Sequence, residues 1–365
     1  MDFTFLCSGK PEPNGRKVAI IGAGPSGLTA TGYLVCAGYK VEVYDKLPKP
    51  GGLMVFGIPG HRISPENIAR GAEKLEKEFG VEFKLRTKIC GSEPMHEETG
   101  DDMAYTYKSL GGRVEDNDAV LICTGTWKSR RMEVPGHELP GVYSGLEFLF
   151  PVRAASYEIA NMDVPEIKGK KVVVIGAGFT AVDVVHAALT EGASRVSLVY
   201  RRSREEAPCG SMEFNMLEKQ GAVCMEHSAP LEIVGTDRVE GVRFAPCVMS
   251  EPDEAGKCRL TVQKEESFVM EADIVVTAVG EMGTPPFAHD LGLDNVRKGD
   301  VKWLQMTSLD SVFVAGDVLM GPSKIGKAVY SGLKAAKSLD EWLTLKDQGR
   351  LDEFQDEVIR REDLR

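Results

Sequence analysis

The residues best suited to chemistry lie in a glycine-rich turn near the N-terminus. Gly22-x-Gly24-x-x-Gly27 follows an apolar run at 17–21 and precedes a helical pattern. In such a turn the first glycine permits the sharp bend, the second lets a pyrophosphate approach the backbone, and the third lets helix and strand pack closely. The helix N-terminus adds free N–H groups and a positive dipole end. Asp45 ends the next strand, where a carboxylate can bind ribose hydroxyls, so the pattern predicts a dinucleotide site.

A second copy of this pattern, Gly176-x-Gly178-x-x-Ala181, follows an equally apolar strand. The strand after it ends in Arg201 and Arg202 rather than in an acid. A carboxylate suits a free 2′-hydroxyl, whereas a guanidinium can bind a 2′-phosphate through two hydrogen bonds. We therefore expect FAD at the first turn and NADP at the second. NAD in place of NADP, and a solvated basic loop in place of a phosphate site, are the alternatives.

A third candidate is Gly316-Asp317, which ends the last predicted strand and precedes another helix. An acid at this place can bind a ribityl hydroxyl, and the following helix N-terminus can stabilise negative charge on a reduced flavin. The alternative is that Asp317 is a helix N-cap or a turn residue.

The elements around these motifs indicate two repeated strand–turn–helix–strand units of a parallel sheet. Predicted strands lie at 17–21, 40–44, 118–123, 171–175, 195–200, 273–278 and 311–315. Predicted helices end near residues 37 and 191 or cover 65–79 and 325–345. The remaining segments are a surface excursion at 91–118, a linker at 151–169, an antiparallel meander at 242–272 and a solvated helical tail at 346–365. The fold class expected is α/β with two Rossmann-like (βαβ) dinucleotide-binding domains.

Composition narrows the classes of function. The chain has 365 residues, 42% hydrophobic and 27% charged, with a net charge of −11. This balance disfavours nonspecific nucleic-acid binding and binding to anionic membranes. The sequence also has no run of about 20 apolar residues and no signal-peptide pattern, so we expect no membrane insertion and a cytoplasmic location. The eight cysteines include no C-x-x-C pair and predict buried free thiols rather than a metal site. The six histidines are isolated, and no catalytic side chain or metal ligand is expected.

The motifs together resemble a known family. The chain is similar to the glutamate synthase small-subunit type of FAD/NAD(P)-dependent oxidoreductase, a group that includes the FAD-binding large subunit of ferredoxin:NADP transhydrogenase. The stretches that carry the resemblance are VAIIGAGPSGLTAT, GGLMVFGIPGHRISPE, LICTGT, VVVIGAGFTAVDVV, YRRSREEAPC, ADIVVTAVG and VFVAGDVLMGPSKIGKAVYSGLKAA.

The resemblance implies an NAD(P) domain inserted in an FAD domain. The expected division is an FAD domain at 1–160 and 286–345, an NAD(P) domain at 161–285 and a charged tail at 346–365. The expected FAD ligands are Gly22, Gly24, Pro25, Ser26, Gly27, Asp45, Lys46, Gly52, Leu53, Ile58, Pro59, Arg62, Ile89, Thr124, Gly125, Gly316, Asp317, Lys324 and Ile325. The expected NAD(P) ligands are Gly176, Gly178, Phe179, Thr180, Ala181, Asp183, Arg201, Arg202 and Gly280.

One departure from the family shapes the functional hypothesis. Family members commonly carry an N-terminal domain with two 4Fe–4S clusters, whereas here about 16 residues with one cysteine precede the first strand. We therefore expect an FAD-containing subunit that exchanges hydride with NAD(P)H and relays electrons to or from a separate iron–sulfur subunit, beside a catalytic subunit of a larger complex. The alternatives are a stand-alone NADPH-dependent flavin reductase or diaphorase, a disulfide reductase, and a flavin-bearing structural subunit that does not use NAD(P)H.

Overall fold

The computed structural model describes residue 7 and residues 9–91, 98–157, 159, 162–250, 260–280, 288–299, 305–353 and 356–364. Backbone contacts group these residues into two units. The first comprises the described parts of Met1–Phe56, Gly60–Lys128 and Glu281–Arg365, and the second comprises Gly57–Pro59 and Ser129–Gly280. The expected domain boundaries at 160/161 and 285/286 lie outside the described residues, so they stay predictions.

The strands and helices are numbered in chain order. The strands are β1 (Lys17–Ile21), β2 (Lys40–Tyr44), β3 (Glu82–Lys84), β4 (Thr87–Cys90), β5 (Thr106–Ser109), β6 (Ala119–Ile122), β7 (Val142–Ser144), β8 (Lys171–Ile175), β9 (Arg195–Val199), β10 (Val223–Met225), β11 (Ser228–Gly235), β12 (Val239–Met249), β13 (Leu260–Val262), β14 (Phe268–Glu271), β15 (Ile274–Thr277), β16 (Asn295–Gly299), β17 (Val312–Val314) and β18 (Asp356–Arg360). The α-helices are α1 (Pro25–Cys36), α2 (Leu53–Phe56), α3 (Pro65–Phe79), α4 (Leu110–Glu115), α5 (Gly145–Ala155), α6 (Phe179–Thr190), α7 (Ser211–Lys219), α8 (Asp317–Met320) and α9 (Ile325–Asp347). Among the described residues, every helix is too short or too polar to span a lipid bilayer.

The first unit is built on a parallel sheet with strand order β17-β6-β1-β2-β3. The apolar run of β1 lies in the middle of this sheet, where Val18, Ala19 and Ile20 are fully buried. The chain crosses from β1 to β2 through α1, and β6 pairs with the other side of β1. Ligands of open α/β sheets bind at the carboxyl ends of strands where the order reverses in this way. The turns after β1, β2, β6 and β17 therefore lie at the carboxyl edge of the sheet, where the sequence motifs predict a ligand.

The second unit repeats the plan with the order β10-β9-β8-β15-β7, again all parallel. Strands β11 to β14 form antiparallel pairs centred on β12. The predicted meander at 242–272 is therefore confirmed, although it begins earlier, at Ser228. The two Rossmann-like units confirm the expected α/β fold class.

The predicted helical tail is wrong. Residues 356–360 form β18, which pairs with β16 in antiparallel register, and Leu351 lies in a short 3₁₀ turn. Ile359 packs on the core of the first unit, whereas Val358 is 57% exposed. Pairing with β16, rather than burial of a helical stripe, thus determines the structure of this segment. The segment ends at the buried Arg361, which donates to the carbonyl of Val318 at 3.0 Å.

Two other segments are more ordered than predicted. The linker expected at 151–169 overlaps α5, which contains Pro151 and begins with a capping box of Ser144 and Glu147. Buried side chains such as Phe148 hold α5 in the core of the second unit, and this packing outweighs the hydrogen bond that proline removes. The excursion expected at 91–118 contains β5 and α4, and its residues 92–97 lie outside the described chain.

The prediction that the cysteines are free thiols fails for one pair. Cys7 and Cys36 form a disulfide that joins the segment before β1 to the end of α1. Sequence spacing could not reveal this pair, because 29 residues separate the two cysteines. The other described cysteines form no disulfide within the described chain, and all except the half-buried Cys224 are buried; they are Cys90, Cys123, Cys209, Cys224 and Cys247. Cys258 lies outside the described residues.

Candidate dinucleotide sites

The first turn shows two kinds of glycine. Gly22 has a φ of +107°, a conformation that favours glycine, and a Cβ there would overlap the carbonyl of Cys123. A Cβ at Gly27 would overlap the carbonyl oxygen of Gly22. Gly24 instead has extended backbone, and a Cβ there would meet no atom within 4 Å. Gly22 and Gly27 therefore close the turn, and Gly24 leaves the open cradle that a pyrophosphate requires.

The N-terminus of α1 presents its backbone N–H groups without a side-chain cap. Gly24 is the N-cap residue and Pro25 occupies the first turn, and among the described residues no side chain accepts from the first N–H groups. In α5, by contrast, the Ser144 hydroxyl accepts such a bond. Ser26 is occupied elsewhere, because its hydroxyl donates to the carbonyl of Ala328 at 2.8 Å. The first N–H groups of α1 are thus suited to an anion.

Asp45 lies buried directly after β2. Its Oδ2 accepts the N–H of Ala23 at 2.6 Å, and its Oδ1 accepts the N–H of Leu47 at 2.8 Å. Burial raises the pKa of the Asp45 carboxyl above its usual range, against the opposing effect of these two N–H groups. An ionised carboxylate has about four acceptor positions, so it can still accept a ribose hydroxyl. Asp45 therefore fastens the glycine turn, and its ribose contact stays a prediction.

Lys46 belongs to a cluster of charges next to Asp45. Its ammonium binds Asp101 Oδ1 at 2.8 Å and the carbonyl of Thr99 at 2.9 Å, and it lies 4.9 Å from the centre of the Trp127 ring. Lys88 binds the other oxygen of Asp101 at 2.6 Å. Burial alone would raise the pKa of Asp101, but the two lysines hold it below its usual range. The Lys46 ammonium therefore has protein partners, and its expected contact with FAD remains a prediction.

The turn after β6 carries two buried hydroxyls that fit a ligand. The Oγ1 atoms of Thr124 and Thr126 are buried and have no hydrogen-bond partner among the described residues. Such an unsatisfied group costs about 1–3 kcal/mol unless a ligand or water supplies a partner. Gly125 between them has a φ of +71°, and Ile89 lies buried in β4 of the same unit. Together with the open cradle at Gly24, these orphaned hydroxyls fit the expected FAD.

The segment expected along the flavin divides between the two units. Gly52, with a φ of +54°, and Leu53, the first residue of α2, belong to the first unit, as does Arg62. Ile58 and Pro59 group with the second unit by their contacts. The structure thus does not bring this set together within one unit, and its flavin contacts stay predictions.

The turn after β17 lies at the same edge of the first sheet. Gly316 has a φ of +79°, and Asp317 opens α8 and accepts the Ser323 hydroxyl at 2.5 Å. Lys324 is the N-cap residue of α9 and Ile325 its first residue, and among the described residues no side chain caps this helix. The flavin site predicted here therefore has an acid and a helix N-terminus of the expected kinds.

Two further residues, which the sequence motifs do not indicate, hold this turn in place. The Ser331 hydroxyl accepts the N–H of Gly316 at 2.9 Å and the amide N–H of Gln305 at 3.2 Å. A Cβ at Gly332 would overlap the carbonyl oxygen of Ser26, so α9 approaches α1 closely at this glycine. A glycine inside a helical pattern is the signal that could have indicated this contact.

The second turn reproduces the geometry of the first. Gly176 has a φ of +131°, and a Cβ there would overlap the carbonyl oxygen of Ala278. Gly178 is the N-cap of α6 in extended backbone, and a Cβ there would meet nothing within 4 Å. Ala181 is fully buried at the third position, and Gly280, with a φ of +106°, follows the neighbouring β15. The other predicted residues of this site lie in the first half of α6: Phe179, Thr180 and Asp183.

The three arginines after β9 have different surroundings. Arg201 is exposed, and its side chain makes no hydrogen bond or ion pair within the described part of the chain. Arg202 lies 4.0 Å from Glu206. Arg204 binds Glu226 at 2.7 Å and Glu218 at 3.1 Å, so its charge is already compensated. Arg201 is therefore the best candidate for a 2′-phosphate ligand.

Comparison with known proteins supports this interpretation of the fold. Residues 16–332 match the family described as pyridine nucleotide-disulphide oxidoreductase. The chain is 33% identical to the glutamate synthase (NADPH) small chain of Halomonas elongata, with 90% of this chain and 68% of that protein covered. It is also 33% identical to the NADP(+)-dependent formate dehydrogenase subunit beta of Moorella thermoacetica, over 90% of this chain but 44% of that protein. The chain thus spans less than half of the second relative.

Solved structures share the architecture at lower identity. FprA of Mycobacterium tuberculosis, solved in complex with NADPH, matches with a TM-score of 0.71 and 21% identity, covering 93% of this chain and 87% of that one. At this identity the likeness establishes the fold alone.

Proposed function

Because the chain belongs to the pyridine nucleotide-disulphide oxidoreductase family, as a glutamate synthase small-chain-like member, we propose that it is an FAD-dependent NAD(P)H oxidoreductase subunit. It exchanges hydride with NADPH and relays electrons to or from an iron–sulfur partner subunit. The observation that carries this proposal is the repeated cradle, in which Gly24 and Gly178 each precede an uncapped helix and leave open space. Two such cradles on one chain fit two dinucleotides.

The first cradle is proposed to hold FAD. A bound flavin accepts a hydride from a nicotinamide and exchanges single electrons with other carriers. The N–H groups at the start of α1 would bind the pyrophosphate, and Asp45 would accept a ribose hydroxyl. The orphaned hydroxyls of Thr124 and Thr126 would gain partners, and Asp317 would accept a ribityl hydroxyl.

The second cradle is proposed to hold NADP. The start of α6 would bind the pyrophosphate, and the exposed Arg201 would bind the 2′-phosphate with help from Arg202. The names of the relatives support this choice, because they specify NADPH or NADP(+). NAD remains the alternative nucleotide of the same site.

The proposal that this chain works within a complex is based on the names of its relatives. They are named as a small chain and as a subunit beta, which implies larger assemblies for those proteins. We propose that this chain likewise works beside an iron–sulfur subunit and a catalytic subunit, in the cytoplasm as expected from the sequence. A stand-alone flavin reductase and a flavin-bearing structural subunit are the competing functions. Purification of the native protein distinguishes them, because an iron-free preparation without companions would exclude the relay.

The disulfide observed here does not favour a disulfide reductase. Cys36 is the last residue of α1, whereas the flavin-binding turn lies at the first. The helix has 12 residues and is therefore about 18 Å long. The Cys7–Cys36 bond is thus placed to tie the N-terminal segment to α1 rather than to exchange electrons at that turn.

The test is anaerobic bleaching of the yellow protein by NADPH or NADH. We expect NADPH to bleach it at lower concentration than NADH. Replacement of Arg201 by Ala should raise the NADPH concentration required by roughly 10- to 100-fold, the loss expected for hydrogen bonds to a charged group, and should leave NADH unaffected.

The matched control is Arg195→Ala, because Arg195 is also exposed but lies at the opposite end of β9. Colour that persists with both nucleotides would exclude the oxidoreductase function. An Arg201 variant that responds to NADPH like the Arg195 variant would exclude only the phosphate contact.

A further inference from the structure

The first two thirds of α9 carry only positive charges. Residues 324–339 contain four lysines and no acid, although the whole chain has a net charge of −11. Further along the same helix the pattern ends, because Asp340 and Glu341 follow. A helix segment with one sign of charge creates a local positive potential on an otherwise acidic protein.

Three of these lysines share one face of α9 with an exposed aromatic ring. Lys327, Tyr330, Lys334 and Lys337 are three or four residues apart, so they are neighbours along the helix surface. Tyr330 is 60% exposed. The other face of α9, which includes Gly332, is buried against α1.

Among the described residues, two of the three lysines on this face lack the carboxylate partner that other lysines of this unit have. Lys327 and Lys334 form no ion pair within the described part of the chain. Partial burial lowers the pKa of the Lys334 ammonium, the direction expected for an amine without an opposing carboxylate. By contrast, Lys77 on α3 has Glu73 as a partner one turn away.

The face of α9 formed by Lys327, Tyr330, Lys334 and Lys337 begins next to the proposed flavin site. Lys324 is the N-cap residue of α9 and follows α8, which begins at Asp317, and Lys327 lies one turn further along. Met320 of α8, in the same segment, is 43% exposed. A protein that exchanges single electrons with the flavin must bring its redox centre close to this region.

We propose that the Lys327, Tyr330, Lys334 and Lys337 face of α9 is the docking surface for an acidic electron-carrier protein, the iron–sulfur partner. This inference rests on the proposed function. Complementary charge steers such encounters and fixes their orientation, and an exposed tyrosine among the charges supplies the apolar contact typical of interfaces. Electron-transfer encounters use small interfaces, a size that one face of a helix can supply.

The test measures binding of a fluorescently labelled plant-type 2Fe–2S ferredoxin, chosen for its acidic surface, to the FAD-loaded protein by anisotropy at low ionic strength. Lys327→Glu should weaken binding about tenfold, as 1.4 kcal/mol of lost interaction would do. Tyr330→Ala should also weaken it, and the effect of Lys327→Glu should shrink at high salt because ions screen exposed charges.

The matched control is Lys74→Glu, which makes the same charge change on α3 of the same unit. Equal affinities of the Lys327 and Lys74 variants, or no binding by the unaltered protein, would overturn the docking surface. Equally tight binding of a short DNA duplex would overturn its assignment to a protein carrier. Bleaching by NADPH, measured on the same samples without ferredoxin, tests the proposed function separately.

Discussion

Gly24 and Gly27 are three residues apart in one turn, yet different requirements fix them. Gly27 is required by the fold, because a side chain would strike the carbonyl of Gly22. Gly24 has free space for a Cβ and ordinary extended backbone, so the protein alone does not require glycine there. This difference separates a residue that shapes the turn from one that admits the ligand.

Gly24→Ala should therefore fold normally and lose FAD. We expect unchanged unfolding of the apoprotein and at least roughly tenfold weaker FAD binding, because the methyl group occupies the space of the pyrophosphate. Flavin fluorescence titration and thermal unfolding measure the two effects. Gly111→Ala is the control, since a Cβ there also meets nothing within 4 Å. Equal FAD affinity in the two variants would contradict the pyrophosphate site.

Thr126 allows a second test at this scale. Its buried hydroxyl lacks a partner in the described chain, so Thr126→Val should leave the apoprotein equally stable or more stable by about 1 kcal/mol while weakening FAD binding. In the control Thr31→Val, the hydroxyl removed donates to the carbonyl of Gly27 at 2.8 Å, so stability should fall. Chemical denaturation of both apoproteins gives the comparison. Destabilisation of the Thr126 variant to the same extent would show that its hydroxyl has a partner in the apoprotein.

At the scale of elements, α1 and α9 are joined by polar contacts as well as by close packing. The carboxylate of Asp340 on α9 accepts the hydroxyls of Tyr33 at 3.0 Å and Tyr39 at 2.8 Å. Burial and then the charge of Asp340 raise the pKa of Tyr33 to about 12, and burial and its hydrogen bond to Asp340 also raise the pKa of Tyr39. The stabilising contribution of these bonds is fully present below pH 10, near the unfolded pKa of tyrosine, and is lost as pH rises through about 12.

Asp340→Ala should lower the free energy of unfolding by about 1–3 kcal/mol at pH 7, because two partly or fully buried hydroxyls lose their acceptor. The difference from the unaltered protein should decrease above pH 10 as the tyrosines ionise. Urea denaturation at pH 7 and at pH 11 measures it, with Glu341→Ala as the exposed neighbour control. A difference that stays constant with pH would mean that the tyrosine bonds contribute nothing.

The elements also show which parts of the fold can be predicted from local sequence patterns and which cannot. The βαβ repeats were predictable because β1 and β8 are apolar runs that end in glycine turns, and these signals are local. The strand at 356–360 was not, because its partner β16 is about 60 residues away and five residues cannot establish a period. The buried ion pair of Lys46 with Asp101 was missed for the same reason, since an acid in a turn-rich stretch looks solvated until its partners are known. Local sequence motifs thus predicted the glycine turns. The β18 strand and the Lys46–Asp101 ion pair depend on contacts between residues far apart in the sequence, so they could not be predicted in this way.

At the scale of the molecule, the same βαβ unit occurs twice, with a different type of residue after its second strand. Asp45 follows the second strand of one repeat, and Arg201 follows that of the other. The glycine cradles are alike, so they do not distinguish the nucleotides, and the side chain after the strand must do so. If each repeat binds its own nucleotide, a substitution in one cradle should impair nucleotide binding there and leave the other site intact.

Gly178→Ala tests this division. The added methyl group meets no protein atom and should leave folding unchanged, but it would occupy the space proposed for the NADP pyrophosphate. The variant should retain FAD and its yellow colour, be bleached normally by dithionite, and need at least roughly tenfold more NADPH for bleaching. Gly24→Ala should show the reverse, with FAD lost and NADPH binding retained in a fluorescence titration. If the Gly178 variant also lost FAD, the two cradles would not act as separate sites, and assigning one dinucleotide to each repeat would be wrong.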